Sequence, residues 1–326
     1  MPMNNSIRNK KIFITGGAGF IATKIIENLF TENEITIFDN FKRDSLSKNT
    51  IINKKSVNVV NGDVLNEDQL FAAAKGSEIF IHAAAIAGID TVASSPVKTM
   101  QVNMLGTANA LEVAMKIGVP DRFINISTSE VFGKFAYKLK ESDVTSSGKA
   151  GEARWTYAVS KLAGEHLSLA YHSEFGLPVV NIRPFNIYGP GQTGEGALIK
   201  FVKQAMANET ITIDGDGSQI RAWCYVDDLV NGLLLAITEP KAVGESINLG
   251  NMRATMTILG LANTVCRVLK SSSKIIHSEP LSQDIEIRVP SLEKAKSILG
   301  FHPIVDLEEG IQNTAYWLNS SNASVG

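Results

Sequence analysis

Tyr157 and Lys161 are the two residues whose types and spacing most directly suggest chemistry. A separation of four residues places both side chains on one face of a helix. A free tyrosine, with a pKa of about 10, is a poor base at neutral pH. A neighbouring ammonium stabilises the phenolate and lowers that pKa. Tyr157 is therefore predicted to accept a hydroxyl proton from a bound substrate.

A second group of hydroxyls precedes this pair in the chain. Ser127 and Thr128 follow the apolar run Phe123-Ile124-Asn125-Ile126, which predicts a strand that ends at the hydroxyls. A hydroxyl at that position can share the proton that Tyr157 accepts. Thr128, Tyr157 and Lys161 are therefore predicted to act as one catalytic group.

A glycine-rich turn near the start of the sequence predicts a dinucleotide site. Thr15-Gly16-Gly17-Ala18-Gly19-Phe20-Ile21-Ala22 follows the apolar run Ile12-Phe13-Ile14 and precedes a helical pattern. Glycines let the backbone turn sharply and approach a pyrophosphate, whose charge lies at the helix N-terminus. Gly16, Gly19, Phe20 and Ile21 are predicted to bind this cofactor.

Asp39 indicates which dinucleotide the turn binds. It lies about twenty residues beyond the glycines, at the end of the run Ile35-Thr36-Ile37-Phe38, and Asn40 follows it in the predicted pocket. A carboxylate there accepts hydrogen bonds from a ribose 2′-hydroxyl and repels a 2′-phosphate, which favours NAD over NADP. Arg43 nearby weakens that preference. The oxidised nicotinamide then adds a positive charge beside Tyr157, and hydride leaves the carbon that bears the substrate hydroxyl.

The elements that must position these residues alternate along the first half of the chain. Further apolar runs at Val57–Val60 and Ile79–Ile81 are separated by helical patterns, which predicts a parallel sheet covered on both faces. Helices are predicted over about Val97–Ile117 and Tyr157–Phe175. The predicted fold is α/β, a doubly wound parallel sheet over residues 1–180. A smaller α/β substrate-binding domain is predicted over residues 181–326, with some of its segments returning to the first domain.

Composition excludes several other classes. A net charge of −2 without long basic runs argues against a nucleic-acid binder. Cys224 and Cys266 are too few for a disulfide framework, and no Cys/His cluster has metal-ligand spacing. The polar opening MPMNNSIRNKK is followed by only three apolar residues before Thr15, too few for a signal peptide or a membrane span. We therefore expect a cytoplasmic protein with no metal and no membrane partner.

Several further motifs occur in a fixed order. They are Asp63-Val64, His82-Ala83-Ala84-Ala85, Asn103-Met104-Leu105-Gly106-Thr107, Ser127-Thr128-Ser129-Glu130-Val131-Phe132-Gly133, Arg183-Pro184-Phe185-Asn186-Ile187-Tyr188-Gly189-Pro190 and Arg221-x-Trp223-x-Tyr225-Val226-Asp227-Asp228. With the glycine turn and Tyr157-x-x-x-Lys161, they make the chain resemble the extended short-chain dehydrogenase/reductases. Within these it resembles the nucleotide-sugar epimerase/dehydratase family, from about Lys11 to Trp317. Ala22 departs from the family pattern, which usually has a third glycine there.

The resemblance implies roles for residues whose chemistry is not evident alone. Asp63 and Val64 would lie against the adenine, Ala83, Ala84 and Ala85 beside the pyrophosphate, and Asn103 near the cofactor. Asn186, Arg221 and Arg288 would hold the diphosphate of a nucleotide-sugar, and guanidinium groups bind phosphate in bidentate fashion. His82 is expected to be a packed strand-end residue.

The resemblance implies a shared first step, removal of hydride from C4 of the sugar to give a 4-keto intermediate. It leaves open the reaction that follows this oxidation. Family members return hydride to the other face as 4-epimerases, remove water as 4,6-dehydratases, or lose carbon dioxide from a uronate. The triplet Thr128-Ser129-Glu130 resembles the GDP-mannose dehydratases and the UDP-glucuronate decarboxylases, whereas glucose-type dehydratases usually have an aspartate in place of Ser129. The resemblance implies that Ser129 touches the substrate and that Glu130 is catalytic. Arg154-Trp155 and Gln283-Asp284-Ile285-Glu286-Ile287-Arg288 resemble the decarboxylases. Decarboxylation or 4,6-dehydration of a UDP-sugar is therefore the main prediction, with 4-epimerisation of UDP-glucose or UDP-glucuronate as the alternative.

Two rivals from other classes are weighed against this prediction. A non-catalytic NAD-binding regulator would be favoured by loss of Tyr157 or Lys161, and both are present. An NADP-dependent carbonyl reductase would favour a basic residue after the second strand and would not need Asn186 and Arg221. Since relatives pair such helices in a four-helix interface, a homodimer is also predicted.

Overall fold

The computed structural model describes residues 7–47, 49–194, 196–280 and 284–323, and the side chains of 321–323 are not described. Strands and helices alternate through the first half. The strands are β1 Lys11–Thr15, β2 Glu34–Asp39, β3 Val57–Asn61, β4 Ile79–His82, β5 Arg122–Ile126, β6 Phe135–Leu139, β7 Val179–Pro184, β8 Ile187–Tyr188, β9 Ile211–Asp214, β10 Ile220–Ala222, β11 Cys224–Tyr225, β12 Glu245–Leu249, β13 Thr255–Thr257, β14 Ile275–Ser278 and β15 Ile287–Pro290.

The α-helices cover both faces of the main sheet. They are α1 Phe20–Leu29, α2 Glu67–Ala74, α3 Ile89–Ser94, α4 Pro96–Met100, α5 Gly106–Ile117, α6 Ala153–Phe175, α7 Ala197–Met206, α8 Val226–Thr238, α9 Ile258–Leu269, α10 Glu293–Leu299 and α11 Leu307–Ala323. None of the described helices is both long enough and apolar enough to cross a membrane.

The main sheet is parallel and doubly wound, as the sequence predicts. Its strand order within the described residues is β12-β7-β5-β4-β1-β2-β3, and every neighbouring pair is parallel. The order reverses between β1 and β4. Ligands of such sheets bind outside the carboxyl ends of the strands at this switch point. The glycine turn after β1 and the alanine run after β4 both lie at that edge.

The two predicted helices are present with altered details. The first runs from α4 into α5 through a π-helical turn over Gln101–Leu105. The second, α6, begins at Ala153, four residues earlier than expected. A π-helical turn changes the direction in which a helical side chain points, and such turns are frequent at functional sites. The turn contains Asn103.

The second half of the chain contributes smaller sheets and also returns to the first. One sheet has the order β13-β10-β15-β6, and two strand pairs are β11-β8 and β14-β9. β12 adds to the edge of the main sheet beside β7, while β6, from the first half, pairs with β15. Segments from each side of residue 180 therefore lie in the other part of the fold, and a domain boundary there stays a prediction.

Candidate active site

The glycine turn is packed against the loop that follows β4. Gly16 has φ +68°, and a Cβ added there would lie 2.6 Å from the Cα and the amide nitrogen of Ala84. Only glycine is free of strain in such a position. Gly19 then precedes α1 without a side-chain cap, so the first amides of the helix are left for a ligand. Phe20 and Ile21 open the helix, half-buried.

Asp39 lies at the end of β2 and binds the same turn. Its Oδ2 accepts a hydrogen bond from the Ala18 amide at 3.0 Å, and its Oδ1 accepts one from the Phe41 amide at 2.7 Å. Burial raises the pKa of Asp39, although both amides act in the opposite direction. Each carboxylate oxygen keeps acceptor capacity for a ribose hydroxyl. Asn40 is exposed beside it.

Asn103 positions the loop after β4. Its side chain is fully buried, its Oδ1 accepts from the Ile86 amide at 2.7 Å, and its Nδ2 donates to the Ile86 carbonyl and to Ser160 Oγ. These bonds hold the alanine run in place, with Ala83 and Ala84 half-buried and Ala85 exposed. The geometry assigns Asn103 an effect on this loop, and any direct cofactor contact stays a prediction.

Asp63 and Val64 lie after β3 at the same edge of the sheet. Asp63 Oδ1 accepts from the Leu65 amide at 3.0 Å, while Val64 is buried and its carbonyl accepts from Asn109 Nδ2. A Cβ added to Gly106 would lie 2.7 Å from Val64 Cγ2. The apolar side chain of Val64 and the partly exposed Asp63 carboxylate suit the face and the amino edge of a purine.

The Thr128 hydroxyl is close enough to Tyr157 to affect the pKa of the phenol. Thr128 is buried, and its Oγ1 accepts from the Glu130 amide at 3.2 Å. Burial and the Glu130 charge raise the pKa of Tyr157, whereas Thr128 and Arg43 act to lower it. The protein groups alone therefore hold the phenol neutral. The prediction that the neighbouring Lys161 ammonium lowers this pKa is wrong for the protein groups, since Lys161 is not among the groups that shift it. A lowered pKa requires the added positive charge of a nicotinamide.

Lys161 is buried one turn beyond Tyr157. Only 2% of it is exposed, and burial lowers its pKa to about 8, with Glu165 acting in the opposite direction. Its ammonium makes no hydrogen bond to the part of the chain that the structure describes. Nearby His82 is fully buried between Thr15 and Thr107 hydroxyls, and burial lowers its pKa to about 3. His82 is thus a neutral packing residue, as expected.

A buried ion pair that the sequence did not suggest supports α6. Glu165 accepts from Arg183 Nη2 at 2.7 Å and from its Nε at 3.0 Å. The hydroxyls of Ser127 and Ser246 also donate to Glu165. The network joins α6 to the ends of β5, β7 and β12. The position of Glu165, four residues after Lys161 on the same helix, is the only feature of the sequence that could have indicated this ion pair.

Glu130 lies on the 3₁₀ turn after Thr128 and faces an arginine. Arg154 Nη2 is 3.9 Å from Glu130 Oε1. The Arg154 side chain is 9% exposed, and its Nε and Nη1 have no hydrogen-bond partner among the described residues. The first turn of α6 thus places a guanidinium beside the predicted catalytic carboxylate.

Arg221 and Arg288 are register partners on the parallel strands β10 and β15. Arg288 donates to Ser129 Oγ at 3.3 Å and to the Gly133 carbonyl at 2.6 Å, while its Nε is unpartnered among the described residues. Burial lowers its pKa to about 10. Arg221 is paired with Asp284 at 3.3 Å, and burial lowers its pKa as well.

Asn186 lies beside this arginine pair. It adopts φ +44° and donates from Nδ2 to the Ala222 carbonyl at 2.9 Å. The structure therefore brings Ser129, Arg221 and Arg288 together, with Asn186 at the side. Gln283, part of the predicted decarboxylase-like segment, lies outside the described residues.

The predicted site residues form two clusters. One combines the glycine turn, the Asp39 carboxylate and the buried Lys161 ammonium, which fits a dinucleotide. The other combines Arg154, Arg221 and Arg288 with Glu130, whose charges act on one another, and it fits an anionic second ligand. Among the described residues no group of three or more metal-ligating side chains is present.

Comparison with protein families gives a match over most of the chain. The model of the NAD-dependent epimerase/dehydratase family matches residues 12–250. The chain is 33% identical to a UDP-N-acetyl-alpha-D-glucosaminuronate decarboxylase of Bacillus cytotoxicus, with 94% of this chain and 97% of the relative covered. It is also 33% identical to UDP-glucuronic acid decarboxylase 6 of Arabidopsis thaliana, with 95% and 91% covered.

A solved structure with bound ligands has the same fold. The UDP-glucuronic acid 4-epimerase of Bacillus cereus, in complex with UDP-glucuronic acid and NAD, superposes with a TM-score of 0.86 at 27% identity. The match covers 95% of this chain and 99% of that chain.

Proposed function

The chain belongs to the NAD-dependent epimerase/dehydratase family, and on that premise we propose that it oxidises C4 of the hexose of a UDP-sugar. The 4-keto sugar then loses carbon dioxide or water. The protein is an NAD-dependent nucleotide-sugar enzyme, similar in sequence to decarboxylases that act on UDP-uronates.

We assign cofactor binding to the residues at the switch point of the sheet. Gly16 and Gly19 let the pyrophosphate approach the start of α1, and Asp39 accepts the ribose hydroxyls. Lys161 supports the fit, because its buried ammonium has no hydrogen bond to the described residues and suits the nicotinamide ribose. The remaining proposed contacts are Phe20, Ile21, Asn40, Asp63, Val64, Ala83, Ala84, Ala85, Asn103 and Tyr157.

The oxidation step uses the hydroxyl pair and the ammonium. When bound, NAD supplies a hydride acceptor and a positive ring beside Tyr157. The Thr128 hydroxyl, which is close enough to Tyr157 to affect its pKa, holds the C4 hydroxyl. Tyr157 takes the hydroxyl proton once its phenolate is stabilised. Lys161 keeps the phenol and the cofactor ribose in register.

Glu130 is the residue proposed to act after oxidation. It lies on the turn that Thr128 caps, and its charge affects the pKa of Tyr157. It is therefore near the carbon next to C4, where proton transfer is needed in both decarboxylation and dehydration. A 4-epimerase needs no carboxylate there, because its second step only returns hydride to a rotated ketone.

The diphosphate is assigned to the residues around β10 and β15. Two arginines side by side in register repel each other unless an anion lies between them. A pyrophosphate accepts charge-assisted hydrogen bonds from both. Arg221, Arg288 and Asn186 are the proposed ligands, with Ser129 between Arg288 and the sugar.

The observation that carries the proposal is the placement of the buried Thr128 hydroxyl close to Tyr157, with buried Lys161 one turn away. The test is incubation of the pure protein with NAD and a panel of nucleotide-sugars, followed by mass analysis of the products. Loss of carbon dioxide indicates decarboxylation, loss of water indicates dehydration, and unchanged mass with an altered sugar indicates 4-epimerisation. Complete absence of turnover would instead favour a non-catalytic NAD-binding regulator.

We further propose a cytoplasmic homodimer formed through the helices α4, α5 and α6. Support comes from exposed apolar side chains on α4, on α6 and on the π-helical turn between α4 and α5, among them Val97, Val159 and Leu105. Light scattering at micromolar concentration tests the dimer, and a mass near one 35.2 kDa chain would refute it.

A further inference from the structure

Arg154 is a buried arginine whose donors the protein does not satisfy. Its side chain is 9% exposed, and Nε and Nη1 have neither solvent contact nor a partner among the described residues. The Glu130 carboxylate lies 3.9 Å from Nη2, which is too long for a hydrogen bond. Buried polar groups are normally hydrogen-bonded, so such a group indicates a ligand that supplies the acceptors.

The other buried arginines differ from Arg154 in this respect. Arg183 is paired with Glu165, and Arg122 donates to the carbonyls of Ile237 and Glu239. Arg221 and Arg288 also donate hydrogen bonds to protein acceptors. Across the described residues, Arg154 alone among the buried arginines donates none. Its guanidinium is therefore the one most available to a bound anion.

The position of Arg154 indicates which anion it faces. It precedes Tyr157 by three residues and lies beside Glu130, so it is at the reacting end of the sugar. In a hexose ring, C6 is attached to the carbon next to C4, whereas the diphosphate is attached to C1 on the opposite side. Arg221 and Arg288 are close enough to Arg154 for its charge to lower their pKa values, and they are already assigned to the diphosphate. An anion near Arg154 is thus a substituent at C6.

We propose that Arg154 selects a nucleotide-uronate by binding its C6 carboxylate. The inference rests on the proposed function and deepens it, because dehydration needs a neutral C6 hydroxymethyl group. A uronate oxidised at C4 is a β-keto acid. Its C5–C6 bond breaks, the electron pair passes into the C4 enolate, carbon dioxide leaves and C5 takes up a proton. Decarboxylation is therefore the second step that this residue favours.

The charge of the carboxylate predicts how Arg154 contributes to rate. The negative charge leaves C6 as carbon dioxide forms, so the ion pair is stronger in the bound substrate than in the transition state. An interaction of this kind lowers KM and does not raise kcat. Arg154 is accordingly a specificity residue, and its loss should alter substrate choice rather than abolish the chemistry.

The test compares three ligands in a Tyr157→Phe background, where turnover is expected to be slow enough for binding to be measured. Calorimetry on the NAD-loaded protein gives dissociation constants for UDP, UDP-glucose and UDP-glucuronate. The variants are Arg154→Met, which keeps the length of the side chain, and Arg154→Lys, which keeps the charge. Arg122→Met is the matched control, because Arg122 is also buried but lies away from the site. Thermal unfolding and NAD affinity check that each variant is folded.

We expect the parent to bind UDP-glucuronate more tightly than UDP-glucose. Arg154→Met should weaken UDP-glucuronate by about 10- to 100-fold, the range for a lost charged hydrogen bond, and leave UDP unchanged. Arg154→Lys should restore part of the preference, and Arg122→Met should leave all three affinities unchanged. With Tyr157 restored, Arg154→Met should raise KM for UDP-glucuronate without lowering kcat for the decarboxylation step.

Other results overturn the inference in distinguishable ways. Equal weakening of UDP and UDP-glucuronate would make Arg154 a diphosphate ligand. Equal affinity of the parent for UDP-glucose and UDP-glucuronate would show that Arg154 does not select a uronate. It would not contradict the proposed oxidation at C4. Failure of UDP itself to bind would overturn the proposed function and this inference together. A folded Arg154→Met variant with unchanged affinities would show that the arginine only packs against Glu130.

Discussion

The carboxylate of Glu165 is held by the guanidinium of Arg183, with Nη2 2.7 Å from Oε2, one helical turn beyond Lys161. Both side chains are almost fully buried. A buried pair of this kind is costly to break, because the remaining charge has no partner. The ion pair therefore couples the orientation of the Tyr157–Lys161 helix to the ends of the central strands.

Replacement of Glu165 tests this coupling. Glu165→Ala should lower the free energy of unfolding by about 3–5 kcal/mol, because Arg183 is left charged and unpaired. Denaturant unfolding measures the change. The control is Glu308→Ala, which breaks the exposed pair with Arg267 and should barely shift the unfolding midpoint. Equal midpoints for the two variants would argue against the coupling.

Replacement of Tyr157 tests the proton acceptor. Tyr157→Phe should lower kcat by about 10²-fold or more and leave NAD affinity nearly unchanged, because only the hydroxyl is lost. Steady-state kinetics and calorimetry provide the two readings. Tyr171→Phe removes a hydroxyl from the same helix, where it donates to Glu112, and should retain normal turnover. Near-normal turnover in Tyr157→Phe would contradict the assignment.

The ionisation of Lys161 should be visible in the pH dependence of NAD binding. Its pKa is lowered from 10.5 to about 8 in the folded protein. The ammonium near the ribose is thus lost above about pH 8, and affinity for NAD should decrease several-fold by pH 10. His82 stays neutral over this range, because burial lowers its pKa to about 3. In Lys161→Arg the affinity for NAD should not change over this pH range. An affinity that is also independent of pH in the unmodified protein would reject the role of the Lys161 ammonium in NAD binding.

The same shift has an opposite effect on stability. Between about pH 8 and 10.5 the unfolded chain binds more protons at Lys161 than the folded chain does. The contribution of this residue to the free energy of unfolding therefore increases as pH rises through that window. Deprotonation of Lys161 therefore does not unfold the protein in that window. Weaker NAD binding there would report on the cofactor site and not on unfolding.

Asp39 should set the preference between the two dinucleotides. The unmodified protein is expected to bind NAD more tightly than NADP, because the carboxylate repels a 2′-phosphate. Asp39→Asn should reduce the ratio of the two affinities by about tenfold, in line with one lost charged interaction. Asp44→Asn is the control, since Asp44 also accepts backbone amides in this loop. Comparable affinities for NAD and NADP in the unmodified protein would contradict the prediction.

Glu130 separates oxidation from the step that follows. In Glu130→Gln, C4 should still be oxidised, so the absorbance of reduced nicotinamide should appear in a single turnover. Product should then form slowly or not at all, because the carboxylate for the second proton transfer is gone. The control is Glu152→Gln. Glu152 directly precedes α6 and accepts a hydrogen bond from Trp155, and its replacement should leave both oxidation and product formation normal. Unimpaired product without trapped absorbance would shift the assignment to epimerisation.

Local patterns in the sequence were enough for the central sheet and for the cofactor end of the site. Short apolar runs predicted β1 to β5, because burial on both faces requires apolar residues at every position. The glycine turn, Asp39 and the spacing of Tyr157 and Lys161 are equally local, since each depends on neighbours within one strand or one helix. These features could be predicted before any contact was known.

The substrate end was decided by tertiary structure. Arg154, Arg221 and Arg288 come from separate elements, and only the parallel pairing of β10 with β15 places the last two in register. The partners of Glu165 and Asn103 also come from distant segments. Whether a guanidinium is satisfied by the protein or left for a ligand depends on which distant acceptors the fold brings near it. No spacing within the chain determines that, because burial and hydrogen-bond pairing exist only after the elements have packed.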